Sequence, residues 1–388
     1  MKTMKRYVDK NKLIAVIAIS AAFALPSLAV AKVSGPCGNC HTMHNSQDGT
    51  AMASTGAFGA AIVADTTPNG ALLRYGCVGC HTGDNAGGTV PFVLGTAAPT
   101  YGVAGATGVN TLAGGNFYWV NAGNDASGHN VIGLPSANTE SILTSAPGNG
   151  GAANVPLPSA LTCAGVTGCH GDRAATSTDE FGAIAGGHHG PGNAATNGYV
   201  AGSTTDMSDA FRMLSGITGI EDADWEYTAD ATKATADHNL YSGAARSDEA
   251  TNTTTTISSL CAQCHGAFHN GAGNISSSTF GSPWVRHPTD FDMSALATTS
   301  EYAGYAAYNL EAPVASVTLS GATVVTTIDY IGGAGTPNGN AVVTCISCHR
   351  AHGSPNADLL RWDYSGMDAH AGSNTSGCFA CHTTKDDV

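Results

Sequence analysis

Every cysteine in this chain of 388 residues belongs to a close pair, and every pair is followed at once by a histidine. That regularity constrains the fold more than any hydrophobic pattern in the sequence. Five pairs have the spacing C-x-x-C-H: Cys37, Cys40 and His41; Cys77, Cys80 and His81; Cys261, Cys264 and His265; Cys345, Cys348 and His349; Cys378, Cys381 and His382. The third in chain order, Cys163-Ala-Gly-Val-Thr-Gly-Cys169-His170, has five residues between its thiols. An exported chain with an even number of cysteines is ordinarily read as a disulfide framework. Such a framework has no reason to place histidine after every second cysteine, and neither do zinc knuckles or thioredoxin-like redox pairs.

Covalent attachment of haem does require this arrangement. Two thiols add to the two vinyl groups of the macrocycle, and the adjacent histidine is carried beneath it as an axial iron ligand. Two intervening residues let one turn satisfy all three bonds. About six haem c groups are therefore expected, with His41, His81, His170, His265, His349 and His382 as proximal ligands. The long third pair is read as a haem site because its small, flexible insert can bulge outward while both sulfurs reach the vinyls. A disulfide across that loop is the alternative.

Six irons with two histidines each need twelve imidazoles, and the chain has fifteen histidines. His44, His269 and His352 follow a motif histidine by three or four residues. On a continuing helix such a pair projects from one side, whereas one iron must be approached from opposite faces of its ring. The second histidine is therefore expected to serve a different haem. His129 in GHN and His287 in RHP sit in loop-like contexts suited to ligation, and the doublet His188-His189 is expected to supply a ligand near the third motif. His238 is left open, and His370 reads as a surface residue. An iron with both axial positions filled does not readily bind substrate, so this histidine supply favours electron transfer over catalysis.

Composition points the same way. With 50 glycines and only 7% aromatic residues, large apolar side chains are too sparse for a conventional core over this length, and haem is an apolar body able to fill that role. Residues 1–31 read as an export signal. Lys2, Lys5, Arg6, Lys10 and Lys12 precede an apolar run from Leu13 to Leu25, and Ala29-Val30-Ala31 offers a cleavage site. That run is too short for a permanent membrane span. The net charge of −14 argues against a nucleic-acid partner, and removal of the basic leader makes the remainder more acidic still.

The motifs are spread across 32–388, which suggests one elongated hexahaem domain. The expected fold is a multihaem cytochrome c, mostly loops with short helices and a few short strands wrapped around a stacked haem chain. Segments 207–218 and 292–310 have the apolar spacing of helices, and 314–331 suggests a hairpin about Ser320-Gly321. Gly-rich stretches at 102–115, 148–152 and 332–339 read as loops. Tyr118 and Trp119 are read either as packing on haem faces or as ordinary core.

The segments CGNCHTMHNS, GHN, CAQCHGAFHN, RHP and CISCHRAH resemble the outer-surface multihaem cytochromes that polymerise into cytochrome nanowires in metal-reducing bacteria. The resemblance implies bis-histidine haems in a closely stacked chain through loop-like protein. It also implies that the histidine three residues after the first motif histidine, here His44, serves a haem of the next subunit. The long third motif and the His188-His189 doublet depart from that pattern.

These readings give an extracellular or outer-surface electron conduit rather than an enzyme. Its expected partners are redox cytochromes, further copies of itself, and metal oxide or electrode surfaces. The alternatives are a periplasmic multihaem shuttle and a multihaem reductase with one open iron.

Overall fold

A computed structural model describes residues 36–47, 50–55, 63–64, 72–85, 91–100, 112–135, 146–147, 161–174, 180–184, 199–200, 213–220, 239–244, 255–266, 275–276, 279–280, 287, 289–293, 301–302, 305, 308–317, 341–369 and 375–383. The signal segment, His188, His189, His238, His269 and His370 lie outside these residues. As expected, the fold is mostly loop with short helices and short strands. Among the described residues the longest helix is Ile257–Ala262, and the strands run two or three residues. No described helix is long and apolar enough to cross a membrane.

The helices are largely the cysteine turns themselves. Cys77–Cys80 and Cys345–Cys348 are single α-helical turns, Cys37–Asn39 and Gly377–Ala380 are 3-10 turns, and Ile257–Ala262 carries Cys261 in its last turn. Hydroxyl residues start two of them. Thr256 accepts a hydrogen bond from the Ser259 N–H, and Thr344 forms a reciprocal capping box with Ser347. Each such cap contributes about 1 kcal/mol to a turn too short to be stable alone. The Cys345 N–H donates to Ser258 Oγ at 3.3 Å, which ties the fourth and fifth turns together.

Strand Ala341–Val343 lies between Phe291–Asp292 and Ala315–Ser316, antiparallel to both, with Ala341 and Val342 wholly buried. It runs directly into Thr344 and so fixes the fifth cysteine turn against a small sheet. A second three-stranded sheet centres Gly219–Ile220 between Tyr199–Val200 and Leu240–Tyr241.

The apolar interior is divided into small clusters that border the cysteine turns. Val78, Leu94, Phe117, Val120, Val131 and Leu134 pack around the second turn, with Cys163 at their edge. Leu214, Ile217, Ile257 and Leu260 lie between the fourth and fifth turns, with Ile346 beside them. Ala312, Trp362 and Ala380 pack against Cys348, Cys378 and Cys381.

Two readings of secondary structure need correction. Residues 213–218 are not α-helical, because Met213 and Gly216 take positive φ values of 57° and 78° and turn the chain into strand Gly219–Ile220. Leu214 and Ile217 are nonetheless buried, so the apolar stripe reported burial without reporting helix. Segment 292–310 is not one helix either: it begins in a strand at Phe291–Asp292 and turns at 301–302. Tyr305 uses its hydroxyl to close the following loop, donating to the Ala312 carbonyl at 3.0 Å and accepting from the Asn309 N–H at 3.2 Å. Ala315–Ser316 is a strand paired with 341–342, and the hairpin expected about Ser320-Gly321 lies outside the described residues.

Candidate haem-attachment sites

All six cysteine turns close in the same way. The histidine N–H donates to the carbonyl of the first cysteine at 2.9 Å in His41, His81, His170, His265 and His382, and at 3.1 Å in His349. This bond folds the two thiols and the imidazole onto one turn. The long third motif satisfies it despite its insert. Gly165, with φ of 85°, reverses the chain, Gly168 N–H donates to the Gly165 carbonyl at 3.0 Å, and Cys169 N–H returns to the Cys163 carbonyl at 3.2 Å. Thr162 and Thr167 join hydroxyls at 2.8 Å across the base of the loop, leaving Val166 at its tip 49% exposed. A side chain at Gly168 would stand 2.5 Å from the Ala164 nitrogen, so the loop is compact as well as outward-facing. No two cysteines are joined by a disulfide bond.

The thiols of successive motifs act on one another in sequence order, and the position that does so alternates. Between motifs one and two, burial, followed by the charge of Cys40, raises Cys80 to about 11. The first cysteines of motifs two and three, Cys77 and Cys163, lie within 4.8 Å together with Glu180, whose carboxylate accepts from Cys77 at 3.3 Å. Between motifs three and four the second cysteines are the pair concerned: burial raises Cys169, Arg173 opposes this, and Cys264 adds to it. First cysteines meet between motifs four and five, Cys261 hydrogen-bonding Cys345. Between motifs five and six, Cys348 lies against both Cys378 and Cys381, and burial followed by these neighbours raises Cys348 and Cys381 to about 12. Thiols held protonated in this way are poorly suited to be metal thiolates or nucleophiles.

Three histidine pairs stand at one common separation. Ring centroids are 6.2 Å apart for His129 and His265, 6.1 Å for His170 and His352, and 6.2 Å for His287 and His382. Metal–imidazole bonds of about 2 Å on each side, with roughly 1.2 Å from each nitrogen to its ring centre, place two trans imidazoles about 6.3 Å apart. Rotation about the metal–nitrogen axis leaves that separation unchanged, so ring inclinations of 50°, 37° and 87° are all compatible with it.

The outer ring nitrogens are already engaged. Nδ1 of His81, His129, His265 and His349 lies 2.7–2.8 Å from the backbone carbonyls of Pro91, Ala351, Pro147 and Asp358 respectively. A carbonyl only accepts, so each Nδ1 carries the proton and Nε2 presents its lone pair, the tautomer a metal needs. Burial lowers His81, His129 and His349, favouring their neutral rings, and with His170 nearby it takes His352 down to about 3. The donor set therefore fits haem: paired thiols on a turn, an imidazole beside them, and for three motifs a second imidazole across an iron-sized gap.

His352 reaches His170 because two glycines let the backbones cross. Gly115 bridges Gly353, and a side chain on Gly353 would lie 2.7 Å from the Ser127 carbonyl and 2.8 Å from that of Asn116. Phe117 then packs on His352 at 4.9 Å. Tyr118 and Trp119 meet edge to face at 5.2 Å, on the single turn Tyr118–Asn121. His44 is exposed, one residue after Met43, which is 80% exposed, and Leu72, 42% exposed, accepts from the Thr42 N–H at 2.7 Å. Sequence reasoning missed the carbonyl acceptors, which carry no side-chain signal. It also missed Glu301, whose Oε1 lies 3.4 Å from His382 Nδ1.

Cysteine turns of this kind, on a chain of loops and short elements, are attachment sites for covalently bound c-type haem. Residues 338–387 match the family model of the doubled CXXCH motif. The chain is similar to the C-type cytochrome OmcS of Geobacter sulfurreducens, with 28% identity covering 88% of this chain and 81% of that protein. Two solved structures of OmcS filaments from the same organism also match. One, of OmcS nanowires, has a TM-score of 0.47 at 19% identity, and the other, an outer-membrane cytochrome S filament, 0.45 at 20%. Each covers 89% of this chain and 88% of its own.

Proposed function

We propose that this protein is an exported electron conduit carrying six bis-histidine haems c in sequence order, and that it assembles end to end outside the cell. The observation that carries this reading is the six cysteine turns closed alike by a histidine N–H on the first cysteine carbonyl, with a second histidine ring centred 6.1–6.2 Å from the motif histidine in three of them. When bound, haem supplies a one-electron iron couple at each site. The chain's residues do the rest. The paired cysteines tether, the motif histidines ligate from one side, and His129, His352 and His287 ligate from the other for the fourth, third and sixth motifs. Motifs one, two and five draw their second ligands from His44, His188, His189 and His269.

Self-association is assigned to His44. Its exposure, and that of the apolar Met43 and Leu72, suit a ligand delivered to another copy of the chain. The similarity to OmcS, which forms nanowires, supports the same assembly and an extracellular location. Redox cytochromes, metal oxides and electrode surfaces are the proposed exchange partners, and no bond-making catalysis is assigned.

Peptide mass spectrometry of the secreted protein tests the haem assignment. The expected result is one haem on each cysteine pair, including Cys163 and Cys169, and absorption spectra of low-spin iron that does not bind carbon monoxide. Unmodified cysteines, or carbon monoxide binding at most irons, would overturn it.

A further inference from the structure

The fifth and sixth cysteine turns are neighbours, yet the charges around their histidines are opposite. His349 Nδ1 donates to a neutral acceptor, the Asp358 carbonyl at 2.7 Å. A cation is also fixed on that turn. The Arg361 N–H donates to the Cys348 carbonyl at 2.9 Å and its Nε to the Ile346 carbonyl at 2.7 Å. Its remaining nitrogens reach the Leu310 and Ala113 carbonyls at 3.2 and 3.4 Å, so the guanidinium cannot swing away. Beyond burial and the carbonyl bond, Arg361 is the largest charge acting on His349, and the exposed carboxylate of Asp358 opposes it less strongly.

The sixth turn has the reverse arrangement. Glu301 Oε1 faces His382 Nδ1 at 3.4 Å, with Tyr302 packed on the same imidazole at 4.7 Å. The segment is clamped from behind, because Thr383 donates to the Glu301 carbonyl through its N–H at 2.8 Å and its hydroxyl at 2.6 Å. The carboxylate is thus held on the ring by the residue that follows the ligand in the chain.

A carboxylate on the outer nitrogen draws the proton from the imidazole and makes it a more basic, more anionic ligand, which favours ferric over ferrous iron. A fixed guanidinium nearby favours the iron state of lower positive charge. We infer that Glu301 is a positioning residue that sets the iron bound by His382 at a lower reduction potential than the iron bound by His349. The couple concerned is Fe(III) plus one electron giving Fe(II), with no bond made or broken, and an electron shared by the two sites resides at the fifth. This inference rests on the reading that both turns carry haem.

Redox titration of the holoprotein, with dithionite as reductant and electron paramagnetic resonance as the readout, tests it. Glu301→Gln keeps the side chain's shape and removes its charge. One low-spin ferric signal is expected to change its g values and to disappear at higher potential, with the others unmoved and the haem mass retained. Glu301→Asp, which keeps the charge, is expected to stay near the parent. Signals all titrating as in the parent, or loss of haem from Cys378 and Cys381 in Glu301→Gln, would overturn the role. Absence of haem on those cysteines in the parent would instead overturn the attachment reading beneath it.

Discussion

The two ends of the molecule are built from the same motif and surrounded very differently. At the first motif, Cys37, Gly38 and Asn39 are exposed, and the following Met43 and His44 project into solvent. At the last two motifs, a sheet strand leads into the turn, Trp362 is buried against the cysteines, and Gly377 is seated on Met367 and Trp362 with its N–H donated to Glu311. The second histidines follow suit. His44 stands outside, whereas His352 is drawn inward to His170. The C-terminal turns are packed within their own chain, whereas the N-terminal end leaves His44 and the apolar Met43 exposed.

That contrast can be broken most sharply at its exposed end. Substituting His44→Ala is expected to abolish filament formation while leaving the haem mass of the monomer intact. Electron microscopy showing normal filaments would end the bridging role. The corresponding change at the inner end, His352→Ala, is expected to leave assembly possible but to turn the third iron high-spin, so that about one haem in six binds carbon monoxide. No spectral change there would mean that the 6.1 Å pair is not an axial pair.

Smaller effects sharpen the comparison through stability. Trp362→Ala opens a cavity between the last two turns and is expected to destabilise the holoprotein by about 3–5 kcal/mol in denaturant titration. An equal loss on truncating exposed Met43 would erase the distinction between the ends. Thr344→Ala removes the hydroxyl cap of the fifth turn and is expected to lower stability by about 1 kcal/mol, with potentials unmoved.

The sequence made the cysteine turns legible because the chemistry they imply is local, set by two thiols and a histidine within one turn. It did not make the histidine pairs legible. His129 and His265, or His170 and His352, are brought together by crossings such as Gly115 over Gly353, which depend on long-range packing. The tautomer of each ring was hidden for another reason: backbone carbonyls orient it, and any residue supplies one. Hydrophobic spacing around Leu214 and Ile217 correctly marked buried positions yet named the wrong element, because the positive φ at Met213 is a tertiary outcome.

On the proposed function, the succession of thiols that act on one another from Cys40 and Cys80 to Cys348 and Cys381 would place the sites in series. In such a series a single unloaded site would interrupt the current rather than merely lower it. The long third turn, with its exposed Val166 loop, is the third of the six in sequence order, and its maturation would then govern whether the two halves of the molecule communicate.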